Sequence, residues 1–262
     1  MNAPDASPLV YITGASSGIG QALAARYYRA GWRLALVARR AAEIEAWCVS
    51  QGYDRTRWAA YAADVRDIDG IVGAGRQCLA QQGLPAVVIA NAGISIGVDT
   101  AEYEDLDVVR LTFETNNVGL AATFHPFMRP MREARRGTLV GTASVAAIRG
   151  LPGHGAYCGS KAAVVSYCES LRGELRPYGV KVVTLLPGYV DTPLTRGNPY
   201  KMPFLMSPAQ FAERAFRAIE AGASYRVIPW QMAVVTKLLR LLPNPVFDRV
   251  LAGRARKKRR GQ

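Results

Sequence analysis

The sequence predicts an α/β protein built on one doubly wound parallel sheet, with helices on both faces of the sheet. Short apolar segments alternate with segments of helical periodicity along most of the chain, and short links join them. The segment 86–90 contains only alanine, valine and isoleucine, which is typical of a strand buried on both faces of a parallel sheet. A glycine-rich turn directly follows the first apolar segment. These three observations together carry the prediction.

The predicted elements alternate in a regular order. Each strand is a short, mainly apolar segment, and each helix repeats apolar residues every three or four positions, as Ile19, Leu23 and Tyr27 do in the first. Strands are predicted at 9–13, 33–38, 58–63, 86–90, 137–142, 181–186 and 225–228. Helices are predicted at about 18–30, 41–51, 67–82, 104–135, 157–178 and 208–221. We therefore expect one domain over 1–228, followed by an apolar and basic extension over 229–262.

The composition fits a single globular domain, since 50% of the 262 residues are hydrophobic and 20% are charged. No apolar run reaches the roughly 18 residues that a membrane-spanning helix needs. Residues 1–7 lack the pattern of a signal peptide, so we expect a cytoplasmic protein with reduced, buried thiols. The cysteine spacing does not fit a zinc site, and no metal is expected. The cysteines are Cys48, Cys78, Cys158 and Cys168.

Residues 13–20 join the first strand to the first helix with the glycine spacing G-x-x-x-G-x-G. Glycines allow a tight turn and let backbone N–H groups approach a pyrophosphate, whose charge the N-terminus of the helix favours. We therefore expect a dinucleotide to bind here, with a plain connecting loop as the alternative. The expected contacts are Gly14, Ser16, Ser17, Gly18, Ile19 and Gly20.

The end of the second strand indicates which dinucleotide binds. An NAD site usually has an acidic residue there, which accepts hydrogen bonds from the adenosine ribose. This chain has Arg39 and Arg40 instead, and arginine suits a 2′-phosphate. We therefore expect NADP, with NADPH preferred and NAD not excluded. The alternative is that both arginines are ordinary surface charge.

Two further strand ends contribute to the expected cofactor cleft, because ligands of open sheets bind at the carboxyl ends of the strands. Asp64 and Val65 follow the third strand, where they can meet the adenine. Asn91, Ala92 and Gly93 follow the fourth strand and are expected to line the cleft.

Tyr157 and Lys161 lie four positions apart at the start of a predicted helix, so their side chains share one face. Such a pair is weak evidence alone, because it also occurs by chance. Ser144 ends the preceding strand, and Asn116 lies in the long helix before that strand. We therefore take these four residues as the candidate catalytic group.

With these motifs in this order, the chain resembles the short-chain dehydrogenase/reductase family, which has a Rossmann-type fold. The resemblance covers about residues 9–192, including the thirteen-residue separation of Ser144 from Tyr157. It implies hydride transfer between a nicotinamide dinucleotide and a ketone, aldehyde or secondary alcohol. It also implies cofactor contacts near the nicotinamide from Pro187, Gly188, Val190 and Thr192. A dinucleotide-sensing binding protein with little or no turnover is the alternative.

The four candidate catalytic residues have side chains that suit this chemistry. A carbonyl group that accepts hydride needs a proton donor at its oxygen, and Tyr157 is the candidate. The Lys161 ammonium is expected to lower the pKa of this phenol, and Ser144 can donate a hydrogen bond to the carbonyl oxygen. Tyr157 and Lys161 are also expected to contact the cofactor. The resemblance implies that Lys161 holds the nicotinamide ribose and that Asn116 holds a water of the proton relay.

By the same resemblance, residues 193–207 form the substrate lid. Its apolar side chains favour a lipophilic substrate, or they simply pack the lid onto the domain. They are Met202, Phe204, Leu205 and Met206. His154 is expected to be a loop residue rather than a ligand contact.

The C-terminal extension carries much of the net charge of +13, since six cationic residues lie in the last ten positions. An apolar segment with basic residues and a polybasic end can bind an anionic membrane surface or, less favoured, nucleic acid. The commoner arrangement buries the apolar part against the cleft or a partner subunit and leaves the basic end disordered. The family resemblance implies a homodimer or homotetramer formed through the two long helices.

Overall fold

The computed structural model describes residues 7–253 and 255–261, so nearly all of the N-terminal segment 1–7 discussed above lies outside the described residues. Seven parallel strands in the described ranges form one sheet. They are β1 (Leu9–Thr13), β2 (Arg33–Ala38), β3 (Trp58–Ala62), β4 (Val87–Ala90), β5 (Thr138–Thr142), β6 (Lys181–Pro187) and β7 (Tyr225–Ile228). Their spatial order is β3-β2-β1-β4-β5-β6-β7, so the winding reverses between β1 and β4. The predicted doubly wound parallel sheet is confirmed.

Helices cover both faces of this sheet, and the six predicted helical segments begin and end within one helical turn of their predicted bounds, whereas the three helices at 193–196, 230–241 and 244–251 are additional. They are α1 (Gly18–Arg29), α2 (Ala41–Ser50), α3 (Ile68–Gln82), α4 (Asp105–Phe113), α5 (Gly119–Ala134), α6 (Gly155–Leu175), α7 (Pro193–Arg196), α8 (Pro208–Glu220), α9 (Trp230–Leu241) and α10 (Asn244–Leu251). One core lies between the sheet and α1, α2 and α8, and the other lies between the sheet and α3, α5 and α6.

The residues of β1 show why the strand sequences are apolar throughout. Tyr11 is fully buried on one face, where its ring lies 4.8 Å from the ring of Phe127 in α5. Val10 and Ile12 belong to the core on the opposite face, together with Leu23 of α1. A strand that loses water from both faces gains from an apolar residue at every position.

The helix predicted over 104–135 is continuous but not uniform. A π-helical turn, Glu114–Val118, separates α4 from α5 and contains Asn116. Such turns carry an extra residue and occur frequently at functional sites. Directly after it, Gly119 lets α5 approach the loop after β3, because a Cβ atom there would lie 2.8 Å from Val65 Cβ.

Candidate active site

A cleft of about 720 Å³ opens at the carboxyl ends of strands β1 to β6. Open parallel sheets bind their ligands at this edge, where the winding reverses. All of the predicted cofactor and catalytic residues line this cleft except Gly20 and Asn116. Those two residues lie behind the cleft wall, and they shape it through the contacts described below.

The turn after β1 has the geometry of an anion cradle. Gly14 and Gly18 both adopt positive φ values, of 67° and 57°, which favour glycine. A Cβ atom on Gly14 would lie 2.9 Å from the Ala92 Cα atom, so the turn also approaches the end of β4 closely. Ser17 precedes α1 without a side-chain capping hydrogen bond, which leaves N–H groups of the first helical turn for a ligand. These features fit the pyrophosphate of a dinucleotide.

Gly20, in the first turn of α1, packs directly against the backbone of this turn. A Cβ atom on Gly20 would lie 2.2 Å from the Gly14 carbonyl oxygen and 2.8 Å from Asn91 Nδ2. Asn91 in turn joins the ends of β1 and β4. Its backbone N–H donates to Thr13 Oγ1 at 3.1 Å, and its side-chain amide donates to the Thr13 carbonyl oxygen at 3.1 Å. Gly20 and Asn91 therefore fix the shape of the turn.

Three arginines border the adenosine end of the cleft, and they differ in their partners. Arg40 forms an ion pair with Glu43. Arg66, which the sequence analysis did not single out, pairs with Asp64 at 2.6 Å and holds the pKa of that carboxyl below its usual value. Arg39 is exposed, and it takes part in no ion pair among the described residues. The Arg39 charge acts on Asp64 at longer range, so a bound phosphate would meet this guanidinium without displacing an ion pair.

Ser144, Tyr157 and Lys161 converge at the other end of the cleft. Ser144 lies two residues beyond β5, where its Oγ accepts a hydrogen bond from the Ala146 N–H at 3.2 Å. The Ser144 hydroxyl also hydrogen bonds to the Tyr157 side chain. Lys161 Nζ lies 5.9 Å from the centroid of the Tyr157 ring and donates to the Thr142 carbonyl oxygen at 2.8 Å. A phenol, an alcohol and an amine therefore meet at one place.

Asn116 is buried beside this group, in the π-helical turn. Its Oδ1 accepts from the Ile94 N–H at 2.9 Å, and its Nδ2 donates to the Ile94 carbonyl oxygen at 3.1 Å and to Ser160 Oγ at 2.9 Å. A Cβ atom on Gly93 would lie 3.0 Å from Asn116 Oδ1 and 3.3 Å from Lys161 Nζ. Asn116 therefore holds the loop after β4 close to Lys161.

The electrostatics of the pair differ from the sequence-based prediction. Burial raises the pKa of Tyr157, and the hydrogen bond with Ser144, which lowers this pKa, does not offset the effect. Burial also lowers the pKa of Lys161 to about 8. Lys161 is buried and Tyr157 is half-buried, and the Lys161 ammonium is directed to the Thr142 carbonyl oxygen. Tyr157 is therefore a protonated phenol at neutral pH, which is the form that donates a proton.

Replacement of Lys161 with methionine is expected to raise the free energy of unfolding at neutral pH by up to about 3 kcal/mol. The fold lowers the pKa of Lys161 from its usual 10.5 to about 8, so the unfolded chain binds this proton more tightly. The free-energy cost that the buried Lys161 ammonium imposes on the folded state is complete below pH 8 and disappears as the pH rises to 10.5. Urea unfolding at pH 7 and pH 9.5 measures the gain. Exposed Lys201→Met is the control, and a gain that does not shrink with pH contradicts the prediction.

His154 has a more specific place than an open loop. It is buried at the start of α6, and its Nε2 lies 3.1 Å from the Tyr200 hydroxyl. Burial lowers the pKa of His154, which favours the neutral ring. His154 therefore joins the start of α6 to the segment 193–207.

Residues 193–207, which are predicted to form a lid, present a different surface to the cleft from the one expected. Met206 packs in the core behind β6, whereas Phe204 and Leu205 are each 48% exposed. The lid residues that line the cleft are instead 193–195, with Leu194 as the large apolar side chain. The packing alternative therefore holds for Met206.

An apolar wall of the cleft was missed by the sequence analysis. It consists of Ile94, Ile96, Leu111 and Leu194. The two isoleucines follow the Asn-Ala-Gly motif directly, so their proximity to the motif was the available signal. Leu111 lies in a helix whose orientation depends on tertiary packing, and no local pattern marks it.

The basic end of the chain is not disordered over 255–261, contrary to the commoner arrangement considered above. Gly97 and Arg259 form a parallel β-bridge, and Arg259 pairs with Asp105 at 2.8 Å. Lys257 Nζ donates to Ser95 Oγ. Ser95 lies in the loop after β4 and Asp105 is the first residue of α4. Both acceptors are far away in sequence, which is why the sequence pattern did not reveal them. Arg254 lies outside the described residues.

Other features expected from the sequence concern thiols, metals and membranes. The four cysteines are free and buried, as predicted. Within 7–253 and 255–261, no group of His, Cys, Asp and Glu side chains is arranged to hold a metal ion. No helix in the same ranges is both long enough and apolar enough to cross a bilayer.

The fold and the site together define a class of protein: a nicotinamide-dinucleotide oxidoreductase with a single α/β domain. The family model of short chain dehydrogenase matches residues 8–202. An uncharacterized oxidoreductase of Myxococcus xanthus is 38% identical over 237 residues, which cover 90% of this chain and 93% of the relative. The chain belongs to the short chain dehydrogenase family, and it is an NAD(P)-dependent oxidoreductase. Members of this family act on small-molecule substrates.

Solved structures of similar proteins contain either cofactor. An alcohol dehydrogenase from the archaeon Thermococcus sibiricus, complexed with 5-hydroxy-NADP, is 26% identical with a TM-score of 0.74, over 85% of this chain and 96% of that chain. A short chain dehydrogenase/reductase from Burkholderia phymatum, in complex with NAD, is 23% identical with a TM-score of 0.78, over 88% and 92%. At 23% identity the second likeness concerns the fold alone. These neighbours do not distinguish NADP from NAD for this chain.

Proposed function

We propose that this protein transfers a hydride between NADP(H) and a ketone, aldehyde or secondary alcohol, with reduction of a carbonyl by NADPH as the favoured reaction. The convergence of Ser144, Tyr157 and Lys161 at one end of the cleft carries the proposal. These groups place a hydrogen-bond donor, a proton donor and a cation where a carbonyl oxygen would bind.

The cofactor supplies the hydride in the reducing direction, and four parts of the chain would hold it. The turn over 14–20 with the N-terminus of α1 would bind the pyrophosphate. Asp64 and Val65 would contact the adenine, and 91–93 would line the cleft below it. Lys161 would hold the nicotinamide ribose, and the loop 187–192 would contact the nicotinamide.

The proposed roles of the catalytic residues follow from their contacts. Ser144 donates a hydrogen bond to the substrate oxygen, where negative charge develops. Tyr157, which is protonated at neutral pH, donates its phenolic proton to the same oxygen. The Lys161 ammonium, within 5.9 Å of the ring centroid, stabilises the phenolate that results. Asn116 positions the loop after β4 and a water of the proton relay.

The preference for NADP is proposed from Arg39. Its guanidinium is exposed at the end of β2, and no carboxylate lies within ion-pair distance among the described residues. An unpaired arginine can form charge-assisted hydrogen bonds with a 2′-phosphate, whereas an NAD site places an acidic residue there.

Replacement of Arg39 with alanine is expected to raise the Kd for NADPH about tenfold and to change the Kd for NADH less than about twofold. Fluorescence titration with each cofactor measures both constants. Arg40→Ala is expected to have a smaller effect, because Arg40 is paired with Glu43. Arg129→Ala, at an exposed position on α5, is the control for the loss of one charge.

The opposite result would redirect the search for a substrate. Equal binding of the two cofactors by the wild-type protein, or a preference for NADH, would mean that Arg39 and Arg40 are surface charge. Alcohol oxidation with NAD would then be the reaction to test.

We also propose that the substrate is lipophilic, with residues 193–207 as the lid. The support is the apolar cleft wall of Ile94, Ile96, Leu111 and Leu194 rather than the methionine-rich end of the lid. The alternative of a dinucleotide sensor without turnover has no observation in its favour, since it does not account for the Ser144, Tyr157 and Lys161 group.

A homodimer or homotetramer is proposed through the two long helices, the one that runs over 104–135 and α6, because both leave large apolar side chains exposed. These are Leu106, Phe113 and Val118 in the first and Tyr167 in α6. Four free thiols support a reducing, cytoplasmic setting.

A peripheral membrane contact or nucleic-acid binding through the basic tail is the weaker hypothesis, because Lys257 and Arg259 are bound within the protein.

A further inference from the structure

The described end of the chain, residues 255–261, lies along the mouth of the cleft, and we call this segment the C-terminal strap. The Gly97 N–H donates to the Lys258 carbonyl oxygen at 3.0 Å, and Gly97 pairs with Arg259 as a parallel bridge. A Cβ atom on Gly97 would lie 2.1 Å from the Lys257 carbonyl oxygen, so the two backbones are in direct contact. The strap is therefore seated on the loop after β4.

Lys257 connects the two sides of the cleft. Its Nζ donates to Ser95 Oγ at 3.1 Å and to the Leu194 carbonyl oxygen at 3.1 Å. Ser95 belongs to the loop after β4, whereas Leu194 belongs to α7, in the lid after β6. One ammonium group therefore holds two loops that border the same cleft.

Arg259 anchors the strap through a buried carboxylate. Asp105, only 5% exposed, accepts hydrogen bonds from Arg259 Nε at 2.8 Å and from the Asp99 N–H at 2.6 Å. Glu102 lies 3.8 Å from the same guanidinium. A buried carboxylate needs such a partner, because leaving it unpaired carries a large desolvation penalty. The strap position is therefore fixed by charge as well as by backbone contacts.

The lid beneath Lys257 lies next to the anion cradle. A Cβ atom on Gly18 would lie 3.2 Å from Thr192 Cγ2 and 3.8 Å from Pro193 Cδ. Leu194, the Lys257 partner, is the next residue along the chain. Through Leu194, Lys257 is thus joined to the segment that packs against Gly18 at the N-terminus of α1, whereas Arg39 lies at the end of β2.

Arg260 is the strap residue that lines the cleft. It is exposed, and it takes part in no ion pair among residues 7–253 and 255–261. Its neighbours Lys257 and Arg259 are both engaged with the domain, so the Arg260 backbone is held in place while its charge remains available. An available guanidinium at this edge of the cleft suits an anionic ligand group.

We propose that the C-terminal strap is part of the cofactor site, and that Arg260 binds the pyrophosphate of the nicotinamide dinucleotide while Lys257 holds the strap and lid closed over it. The pyrophosphate is common to NAD and NADP. The inference therefore rests on the use of a dinucleotide by this family and not on the proposed preference for NADP.

Binding of both cofactors to Arg260→Ala tests the assignment. We expect the Kd values for NADH and NADPH to rise by the same factor, about tenfold, because the lost contact is with a group that both share. Arg260→Lys should recover part of this loss. Lys258→Ala removes the same unit of charge from an exposed position of the strap outside the cleft, so it should change either Kd less than about twofold.

Two results would overturn the role of Arg260. Equal effects of Arg260→Ala and Lys258→Ala would mean that only the net charge matters. A loss confined to NADPH would place the guanidinium at the 2′-phosphate instead. Both Kd measurements are independent of turnover and of a preference for NADP. The test therefore remains valid even if the proposed reaction is not observed.

The proposed role of Lys257 in holding the strap and lid closed is tested by the rate of cofactor release. Lys257→Met keeps the length of the side chain but loses both hydrogen bonds across the cleft. We expect the dissociation rate of NADH and NADPH to rise about tenfold in stopped-flow displacement. A dissociation rate equal to that of the wild-type protein would show that the strap does not close the cleft.

Discussion

Replacement of Tyr157 with phenylalanine is expected to lower kcat for carbonyl reduction by about a thousandfold, while the Kd for NADPH changes less than about threefold. The variant removes one hydroxyl and keeps the ring that packs at the start of α6. In the wild-type protein this phenol is protonated at neutral pH, since burial only raises its pKa further, and its side chain hydrogen bonds to Ser144. Among the described residues, no other side chain that could donate a proton hydrogen bonds to Ser144 at this end of the cleft.

Single-turnover reduction with NADPH measures the effect without interference from product release. Tyr167→Phe is the matched control, because Tyr167 lies ten residues later on α6 and is 37% exposed outside the cleft. Full activity of Tyr157→Phe would assign the proton donor to another group. Cofactor binding by the wild-type protein without turnover of any carbonyl or alcohol would favour the dinucleotide sensor.

Replacement of Gly20 with alanine is expected to weaken the binding of both cofactors at least about a hundredfold and to lower the free energy of unfolding by about 1–3 kcal/mol. The added Cβ atom would lie 2.2 Å from the Gly14 carbonyl oxygen and 2.8 Å from Asn91 Nδ2. Because one of these atoms is backbone, the turn itself must move. The N–H groups that would meet the pyrophosphate move with it.

Gly73→Ala provides the comparison for this second prediction. Gly73 lies in α3 with nothing within 4 Å of an added Cβ atom. This variant should bind the cofactors normally and gain stability, since alanine is favoured over glycine by about 1 kcal/mol in a helix. Fluorescence titration and urea unfolding on both variants give the two quantities. Unchanged binding in Gly20→Ala would mean that the turn does not hold the dinucleotide.

The fold was predictable because its signals are local. The sheet strands are apolar on both faces, and the segment 86–90 indicated this before any contact was known. The placement of the candidate catalytic group was also predictable, since Tyr157 and Lys161 are four positions apart on one helix and Ser144 follows the strand before it. The parallel topology then brings these separate strand ends to one edge of the sheet.

The pKa values were not predictable in the same way. Proximity in sequence suggested that Lys161 lowers the pKa of Tyr157, whereas burial raises the pKa of Tyr157 and lowers that of Lys161. Desolvation depends on how much protein surrounds a side chain, and the residue types near it in sequence do not give that quantity. The side chains of the predicted lid were not predictable for the same reason, because tertiary packing buries Met206 in the core and places Leu194 in the wall of the cleft.

The sequence by itself determined the class of fold, the turn that fits a pyrophosphate, the two arginines after β2 and the four candidate catalytic residues. Each of these depends on a short motif or on a strand end, so neighbouring residues carry the information. Only the tertiary structure decided where the basic end of the chain lies. Lys257 meets Ser95 across 162 positions, and Arg259 meets Asp105 across 154. Contacts at such separations depend on the packing of the whole domain, and a run of cations looks the same in sequence whether or not it is bound.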